Sequence, residues 1–231
     1  MTTQQNNTNT SKRQLTKERV LDETRERLSR VDAELADGFE LINKYDNTVT
    51  IFGSARLGEE SEYYQLARDI GSKLANAGYT VSTGGSGGIM AAGNRGAFEA
   101  GGNSLGFNIQ LPHEQELNTY ITEGMSFRYF FTRKVILAYA AKAYVYLPGG
   151  FGTMDELFEL MTLIQTRKAP KAPLILVGSK FWNGLDGFIK EHMLPLGTIS
   201  EGDELMYTIT DDLDEVIAIV DQATTTINDT V

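Results

Sequence analysis

The chain has 231 residues, of which 41% are hydrophobic and 23% charged, a composition that fits one soluble α/β domain with an apolar core. It lacks cysteine and has two histidines, which excludes disulfides, thiolate catalysis and zinc sites built on cysteines or several imidazoles. The net charge of −10 comes from the segment after residue 190, which contains ten Asp and Glu residues and no Lys or Arg. The sequence contains no stripe of basic residues that could neutralise several phosphates, so we expect no nucleic-acid partner.

Signals for membranes and export are missing from the sequence pattern. No apolar run approaches the roughly 18 residues of a membrane-spanning helix. The first residues, MTTQQNNTNTSKR, contain no apolar segment of the kind found in secretory signals. We therefore expect a cytoplasmic protein that has no membrane partner.

The N-terminal part of the chain is polar and then strongly charged. Residues 1–13 are low in complexity and predict a disordered tail. Residues 14–46 predict a charged helix, because one apolar residue recurs every seven positions on a single stripe. That stripe consists of Leu21, Leu28, Leu35 and Ile42. We expect it to pack on the domain or on a partner subunit, since Thr24 and Gly38 weaken the alternative of a free coiled coil.

Residues 47–222 alternate between predicted strands and helices and form the body of the protein, and residues 223–231 predict a flexible tail. Strands are predicted at Thr48–Phe52, Tyr79–Ser82, Ser104–Ile109, Ala143–Leu147 and Leu174–Val177. Helices are predicted at Ser61–Ala77, Ile89–Ala100, Arg128–Ala141, Thr153–Thr166, Trp182–Met193 and Asp212–Val220. Short apolar strands that alternate with helices are typical of a parallel sheet covered on both faces. The predicted fold class is α/β, a doubly wound parallel sheet in three layers with an extra N-terminal helix.

Three glycine-containing turns follow predicted strands, at 53–56, 84–88 and 149–152. Because ligands of doubly wound sheets bind beyond the carboxyl ends of the strands, we expect these turns to converge on one crevice. The run Gly84–Gly88 lacks the third glycine of a dinucleotide fingerprint and the Gly-Lys-Ser/Thr ending of a Walker loop. This run has more glycines than one tight turn needs, which favours a loop that approaches a ligand closely.

The third turn opens the segment PGGFGTMDE, which runs from Pro148 to Glu156. Thr153 is placed at a helix N-cap and Glu156 three residues later, so the pair also reads as a capping box with a purely structural role. The glycine loop in front favours a functional role, because a helix cap needs no such loop. Upstream, Arg133 and Lys134 stand in an aromatic stretch, and alone they would indicate only a solvated face or salt bridges.

Taken together, these elements resemble the Lonely Guy (LOG) family of cytokinin riboside 5′-monophosphate phosphoribohydrolases, long labelled "possible lysine decarboxylase". The family signature P-G-G-x-G-T-x-x-E stands complete at 148–156, and the upstream R-K pair is Arg133-Lys134. The turns at 52–56 and 83–90 are similar to two further turns of the family. The segment 111–115 and the aromatic segment FRYFF at 127–131 are similar to the longer, type II branch of the family. The resemblance covers about residues 47–220 and leaves the N-terminal helix outside.

The resemblance implies a Rossmann-like fold, a homodimer or larger assembly, and an N-glycosyl hydrolase that acts on N⁶-modified AMP without a metal or organic cofactor. Free base and ribose 5-phosphate would be the products. The family's catalytic residues map onto Arg133 and Glu156. The expected substrate contacts are Ser54, Gly85, Gly88, Met90, Glu114, Arg133, Lys134, Gly149, Gly150, Phe151, Gly152, Thr153, Met154, Asp155 and Thr162.

Three other functions are weighed against this one. A broader nucleoside 5′-monophosphate nucleosidase would use the same chemistry on unmodified purine or pyrimidine nucleotides. A non-catalytic carrier of a nucleotide-like cofactor is another use of this fold, since molybdenum-cofactor carriers resemble the family, but intact Arg133 and Glu156 argue against it. The decarboxylase label would require a Schiff-base lysine for pyridoxal phosphate, and neither Lys134 nor Lys142 lies in a recognisable motif.

Overall fold

The computed structural model describes residues 17–111 and 117–228. Its strands are β1 (Thr48–Phe52), β2 (Thr80–Thr83), β3 (Ser104–Ile109), β4 (Glu123–Phe127), β5 (Ala143–Tyr146), β6 (Leu174–Val177) and β7 (Tyr207–Thr210). Its α-helices are α1 (Lys17–Ile42), α2 (Glu62–Asn76), α3 (Ile89–Glu99), α4 (Phe130–Tyr139), α5 (Phe151–Gln165), α6 (Ser179–Phe188) and α7 (Leu213–Asn228). A π-helical turn, Ile189–Met193, follows α6, and a 3₁₀ turn, Asp203–Leu205, precedes β7. Among the described residues, no helix combines the length and apolarity that crossing a bilayer requires.

The strands form one parallel sheet in the order β4-β3-β2-β1-β5-β6-β7. In the centre, Val49 of β1 lies opposite Val81 of β2 and Ala143 of β5. The chain builds outward from β1 to β4 and then returns to place β5 on the other side of β1. This reversal of strand order opens a crevice between β1 and β5 at their carboxyl ends, where ligands of such sheets bind.

Two apolar cores cover the two faces of the sheet, because successive residues of a strand point to opposite sides. On β5, Ala143 and Val145 belong to the core shared with α2, α3 and α7. Tyr144 and Tyr146 belong to the other core, shared with α1, α4, α5 and α6. The predicted doubly wound α/β fold in three layers is therefore confirmed, and the extra N-terminal helix is present.

The two edge strands, β4 and β7, were missing from the sequence prediction. Their sequences are EGMSF and YTIT, and both strands contain exposed and partly exposed positions, unlike the fully buried β1, β2, β3, β5 and β6. An edge strand needs no continuous apolar run, because part of it faces water. Short apolar runs in the sequence therefore predict the central strands but not the two edge strands.

Several helix boundaries differ from prediction. The helix predicted from Arg128 starts at Phe130, because 123–127 is extended as β4. The helix predicted over Trp182–Met193 ends at Phe188 and continues as the π-helical turn. Helix α7 continues beyond the predicted Val220 to Asn228.

The predicted apolar stripe of α1 divides into two halves. Ile42 is buried and Leu35 packs against the core, whereas Leu21 and Leu28 are 56% and 61% exposed in the single chain. Close contact between α1 and α4 is made at Gly38, where an added Cβ would lie 2.5 Å from a side-chain carbon of Ile136. The C-terminal half of α1 is thus part of the domain, and a partner for the N-terminal half stays a prediction.

Glu34 of α1 connects this helix to the start of α4. Its carboxylate accepts hydrogen bonds from the backbone N–H of Arg128 at 2.7 Å and from the hydroxyl of Thr132 at 2.5 Å. Arg128 lies two residues before α4 and Thr132 lies in its first turn, so the two bonds hold the entry to this helix against α1. Glu34 therefore fixes the beginning of the helix that carries Arg133.

We expect Glu34→Ala to lower the free energy of unfolding by about 1 to 3 kcal/mol, because two hydrogen bonds to a charged, half-buried acceptor are lost. Urea denaturation measures this difference. Asp32→Ala, at an exposed position of the same helix, is the matched control and should change stability little. Equal stabilities of the two variants would contradict this role of Glu34.

Candidate active site

A cleft of about 750 Å³ opens at the carboxyl ends of β1 and β5. All three predicted turns contribute to it, together with the first turns of α5. Its walls are formed by Phe52, Gly53, Ser54, Ala55, Arg56, Gly84, Ser86, Met90, Ile109, Phe130, Arg133 and the run Gly149–Glu156. The predicted convergence of the three turns on one crevice is observed.

Ser54 joins the three turns through its backbone. Its N–H donates to the carbonyl of Pro148 at 3.0 Å, and its carbonyl accepts from the N–H of Ile89 at 2.9 Å. Gly88 adopts a positive φ of 61°, and an added Cβ would lie 2.3 Å from the Ser54 carbonyl oxygen. Glycine is therefore required at 88 both for the backbone angle and for the close approach of two turns.

Helix α5 begins two residues earlier than predicted, at Phe151, with Gly150 as its N-cap. The capping-box interpretation is wrong, because Thr153 and Glu156 lie inside the helix rather than at its N-cap and third position. The Thr153 side chain packs on Gly149, where an added Cβ would meet its hydroxyl oxygen at 2.0 Å. The N-cap Gly150 has no side chain that could cap α5, and the first residues of this helix line the cleft, where their N–H groups have no partner one turn earlier in the helix.

Glu156 is a buried carboxylate in the cleft wall, with only 8% of its surface exposed. Burial raises its pKa to about 7, against the opposing effect of the positive charges of Lys134 and Arg133. Glu159 and Asp155 raise this pKa further. Near neutral pH the group is therefore poised between its two protonation states, as a general base or acid requires.

Arg133 reaches the cleft from α4 and is held by backbone carbonyls. Its Nε donates to the carbonyl of Phe107 at 2.7 Å and its Nη2 to that of Gly84 at 3.5 Å. Burial lowers its pKa, while the negative charge of Glu156 raises it. An added Cβ at Gly84 would lie 2.3 Å from Nη2, so the glycine leaves room for the guanidinium. Arg133 is thus fixed in place and presents its remaining donors near Glu156.

Lys134, expected to contact substrate, is not among the residues that line the cleft, although its partner Asp155 is. Its ammonium lies 2.8 Å from an oxygen of Asp155 and 3.0 Å from an oxygen of Glu159. Burial acts to lower the pKa of Lys134, but these two carboxylates outweigh it and the pKa is raised. The side chain therefore links α4 to α5 as a charged ion pair.

The remaining predicted contacts differ in where they lie. Met90 and Phe151 line the cleft, and the Phe151 ring is 96% exposed at its mouth. Gly85 belongs to the second turn, where its N–H donates to the Thr83 hydroxyl at 2.9 Å. Thr162 lies further along α5, beside a separate cavity of about 200 Å³. Glu114 lies outside the described residues.

Sequence reasoning placed Arg56 in a turn at the crevice without assigning it a role, and it did not single out Ile109 or Phe130. Arg56 adds a second cation, and its signal was present as the basic residue of a glycine turn that follows a central strand. Ile109 and Phe130 form apolar wall and had no distinguishing signal, because apolar residues in strands and helices read as core. The cleft therefore combines two guanidinium groups and backbone N–H groups with an apolar surface.

Gly152 faces the cleft, and no other atom of the described chain lies within 4 Å of an added Cβ there. We expect Gly152→Ala to stabilise the protein by about 0.5 to 1 kcal/mol, because alanine is the better helix former. The same methyl group fills ligand space, so the KM for substrate should rise about tenfold or more.

Thermal unfolding and steady-state kinetics measure the two effects of Gly152→Ala. Gly184→Ala is the matched control, because Gly184 is an exposed glycine within α6 with equally open surroundings. It should stabilise the protein without changing KM. An unchanged KM in Gly152→Ala would show that the space at Gly152 is not used by the ligand.

Within 17–111 and 117–228, no three His, Asp or Glu side chains are grouped so that they could hold a metal ion. The family model described as "Possible lysine decarboxylase" matches residues 90–220. A probable cytokinin riboside 5′-monophosphate phosphoribohydrolase of Oryza sativa subsp. japonica is 31% identical over 144 residues, covering 61% of this chain and 58% of the rice protein. A cytokinin riboside 5′-monophosphate phosphoribohydrolase of Rhodococcoides fascians is 26% identical over 181 residues, covering 75% of this chain and 88% of that protein.

Solved structures with the same fold include the molybdenum cofactor carrier protein of Chlamydomonas reinhardtii. It has a TM-score of 0.60 at 22% identity and covers 78% of this chain and 99% of that chain. The X-ray structure of the structural-genomics target TM1055 has a TM-score of 0.59 at 24% identity, covering 77% and 99%. At these identities the likeness concerns the fold.

Proposed function

Because the chain belongs to the LOG family, whose model is described as "Possible lysine decarboxylase", we propose that it hydrolyses the N-glycosidic bond of a nucleoside 5′-monophosphate. The proposed substrate is an N⁶-modified AMP, in line with the names of the rice and Rhodococcoides fascians relatives. Water adds across the C1′–N9 bond, so that C1′ receives the hydroxyl and the departing base receives a proton. The products are the free base and ribose 5-phosphate.

The observation that carries the proposal is a buried Glu156 carboxylate, with its pKa raised to about 7, in the same cleft as the fixed guanidinium of Arg133. Cleavage of C1′–N9 builds positive charge on the ribose, as in glycoside hydrolysis. An ionised Glu156 stabilises that charge and accepts a proton from the attacking water. Arg133 binds phosphate or ribose oxygens and favours the ionised form of Glu156.

The uncapped start of α5 supports placing the 5′-phosphate at the glycine turns. Backbone N–H groups at a helix N-terminus attract anions. Gly150 and Gly152 leave open space there, since an added Cβ on either has no neighbour within 4 Å in the described chain. The apolar wall of Ile109 and Phe130 is the surface on which we place the base.

A base-release assay with isopentenyl-AMP, AMP, GMP and CMP tests the proposal directly. We expect isopentenyladenine and ribose 5-phosphate from isopentenyl-AMP, at a higher kcat/KM than for the unmodified nucleotides. Equal turnover of AMP or GMP would favour the broader nucleosidase. Binding of nucleotide without release of base from any of the four would favour a non-catalytic carrier, whose fold this chain shares.

A pyridoxal-dependent decarboxylase has less support. Lys134 is paired with two carboxylates, and the Lys142 ammonium donates to the Asn47 side chain at 3.0 Å on an exposed surface. Neither amine lies free in a deep site, as a Schiff base requires. An absorbance band of bound pyridoxal phosphate in the purified protein would contradict this conclusion.

We also propose a homodimer or larger homo-oligomer. Helix α4 exposes Phe130, Phe131 and Tyr139 at 52% or more of their surface, and α1 exposes Leu21 and Leu28. Exposed aromatic and aliphatic groups of this kind mark subunit contacts. Sedimentation equilibrium tests this assembly, and a monomer at micromolar concentration would contradict it.

A further inference from the structure

Lys134 lies at the boundary between α4 and α5 and is largely buried there. Only 15% of its side chain is exposed, and its ammonium is within 3.0 Å of both Asp155 and Glu159. These acids are one helical turn apart on α5 and flank Glu156 in sequence. The neighbouring Arg133 lines the cleft, so the two adjacent basic residues have separate surroundings.

A role as phosphate ligand conflicts with this placement. The ammonium nitrogen already lies within ion-pair distance of two carboxylates, 2.8 Å from Asp155 and 3.0 Å from Glu159. A phosphate would compete with these two acids for the same cation. Removing one partner of a buried ion pair is unfavourable, because the remaining charge is left uncompensated.

We propose that Lys134 is a positioning residue: its ammonium pairs with Asp155 and Glu159, which flank Glu156, and so holds this turn of α5 against α4 with a fixed positive charge next to the Glu156 carboxylate. The inference rests on the proposed function, in which Glu156 acts as the carboxylate. It assigns the two basic neighbours different tasks: Arg133 contacts the substrate, and Lys134 acts through the acids of α5.

The charged groups around Glu156 predict the direction in which its pKa should move when Lys134 is replaced. The charged and titratable groups around it are Arg133 and Lys134 on α4, Asp155 and Glu159 on α5, Tyr146 on β5 and Arg56 on the turn after β1. Burial raises the pKa of Glu156 most, Lys134 and Arg133 lower it, and the two acids raise it. Loss of Lys134 removes the larger of the two lowering charges and leaves both acids uncompensated.

The experiment compares pH–rate profiles of kcat for isopentenyl-AMP in three variants. In Lys134→Met the acid limb should move to higher pH by about one unit or more, with turnover at pH 7 reduced about fivefold or more. Lys134→Arg keeps the positive charge, so the acid limb of its pH–rate profile should lie close to the wild-type position. Glu159→Gln removes a charge that raises the pKa of Glu156, so its limb should move to lower pH.

A second readout does not depend on activity. The pH dependence of the free energy of unfolding, compared with and without Glu156→Gln in each background, reports the pKa of Glu156 in the folded protein. This pKa should rise in Lys134→Met and fall in Glu159→Gln. If Lys134→Met does not fold, the pKa of Glu156 measured in Glu159→Gln still tests the proposed arrangement of charges.

The proposal is overturned if Lys134→Met raises KM while both the acid limb and the pKa of Glu156 stay in place, because Lys134 would then be a substrate ligand. An unmoved pKa in Glu159→Gln overturns it as well. If the pKa shifts occur but the wild-type protein releases no base, the electrostatic role stands and the proposed function fails.

Discussion

Glu156→Gln is expected to reduce kcat for base release by about 100- to 10,000-fold, because the amide can neither accept a proton from water nor carry the negative charge that stabilises the ribose cation. The substitution preserves size and leaves the backbone of α5 unchanged. KM should change little, since the groups proposed to bind the phosphate are the N–H groups of the turns and Arg133. Release of isopentenyladenine, followed by chromatography at saturating substrate, measures the loss.

Two comparisons make the Glu156→Gln result specific. Glu62→Gln, an exposed acid in the first turn of α2, should keep wild-type turnover. The wild-type kcat should fall as the pH drops through about 7, because Glu156 becomes protonated there. Wild-type turnover in Glu156→Gln would show that another group performs the chemistry and would remove the basis of the proposed mechanism.

The same substitution is expected to stabilise the protein at alkaline pH. The pKa of Glu156 rises from an ordinary value of 4.5 to about 7 on folding, chiefly because burial disfavours the charged form. A raised pKa means that the folded state prefers the protonated carboxyl. The stability gained from this preference is fully present below pH 4.5 and is lost as the pH rises through 7.

Above pH 7 the wild-type protein therefore holds an unfavourable buried charge that glutamine lacks. We expect Glu156→Gln to be more stable by about 3 kcal/mol at pH 8 to 9, from about 1.4 kcal/mol per pKa unit. The difference should vanish below pH 4.5. Urea unfolding at several pH values measures it, with Glu62→Gln as the control that should follow the wild-type protein. Equal stabilities at pH 8 would mean that Glu156 has an ordinary pKa.

A gain in stability together with a loss of activity would show that the site holds a group that the fold disfavours. Active sites commonly contain such unfavourable groups, because catalysis needs a charge where packing alone would not place one. The same reasoning applies to Gly152, where alanine suits the helix better and glycine suits the ligand.

The sequence by itself determined the central architecture and the family. Continuous apolar strands such as Thr48–Phe52 and Leu174–Val177 were predicted with their observed boundaries, because burial on both faces leaves a local signature. The motif Pro148–Glu156 and the Arg133-Lys134 pair indicated the LOG family, which the family match over 90–220 confirms. Convergence of the three glycine turns also followed from sequence, because parallel strands end at one edge of the sheet.

Only the tertiary structure decided the charge state and the task of individual side chains. The pattern T-x-x-E that ends at Glu156, taken alone, also fitted a capping box, and only the start of α5 at Phe151 excludes that role. Arg133 and Lys134 are adjacent in the sequence, yet one enters the cleft and the other is held by Asp155 and Glu159. The physical reason is that burial and the pairing of charges depend on which helices pack together, which no local pattern records.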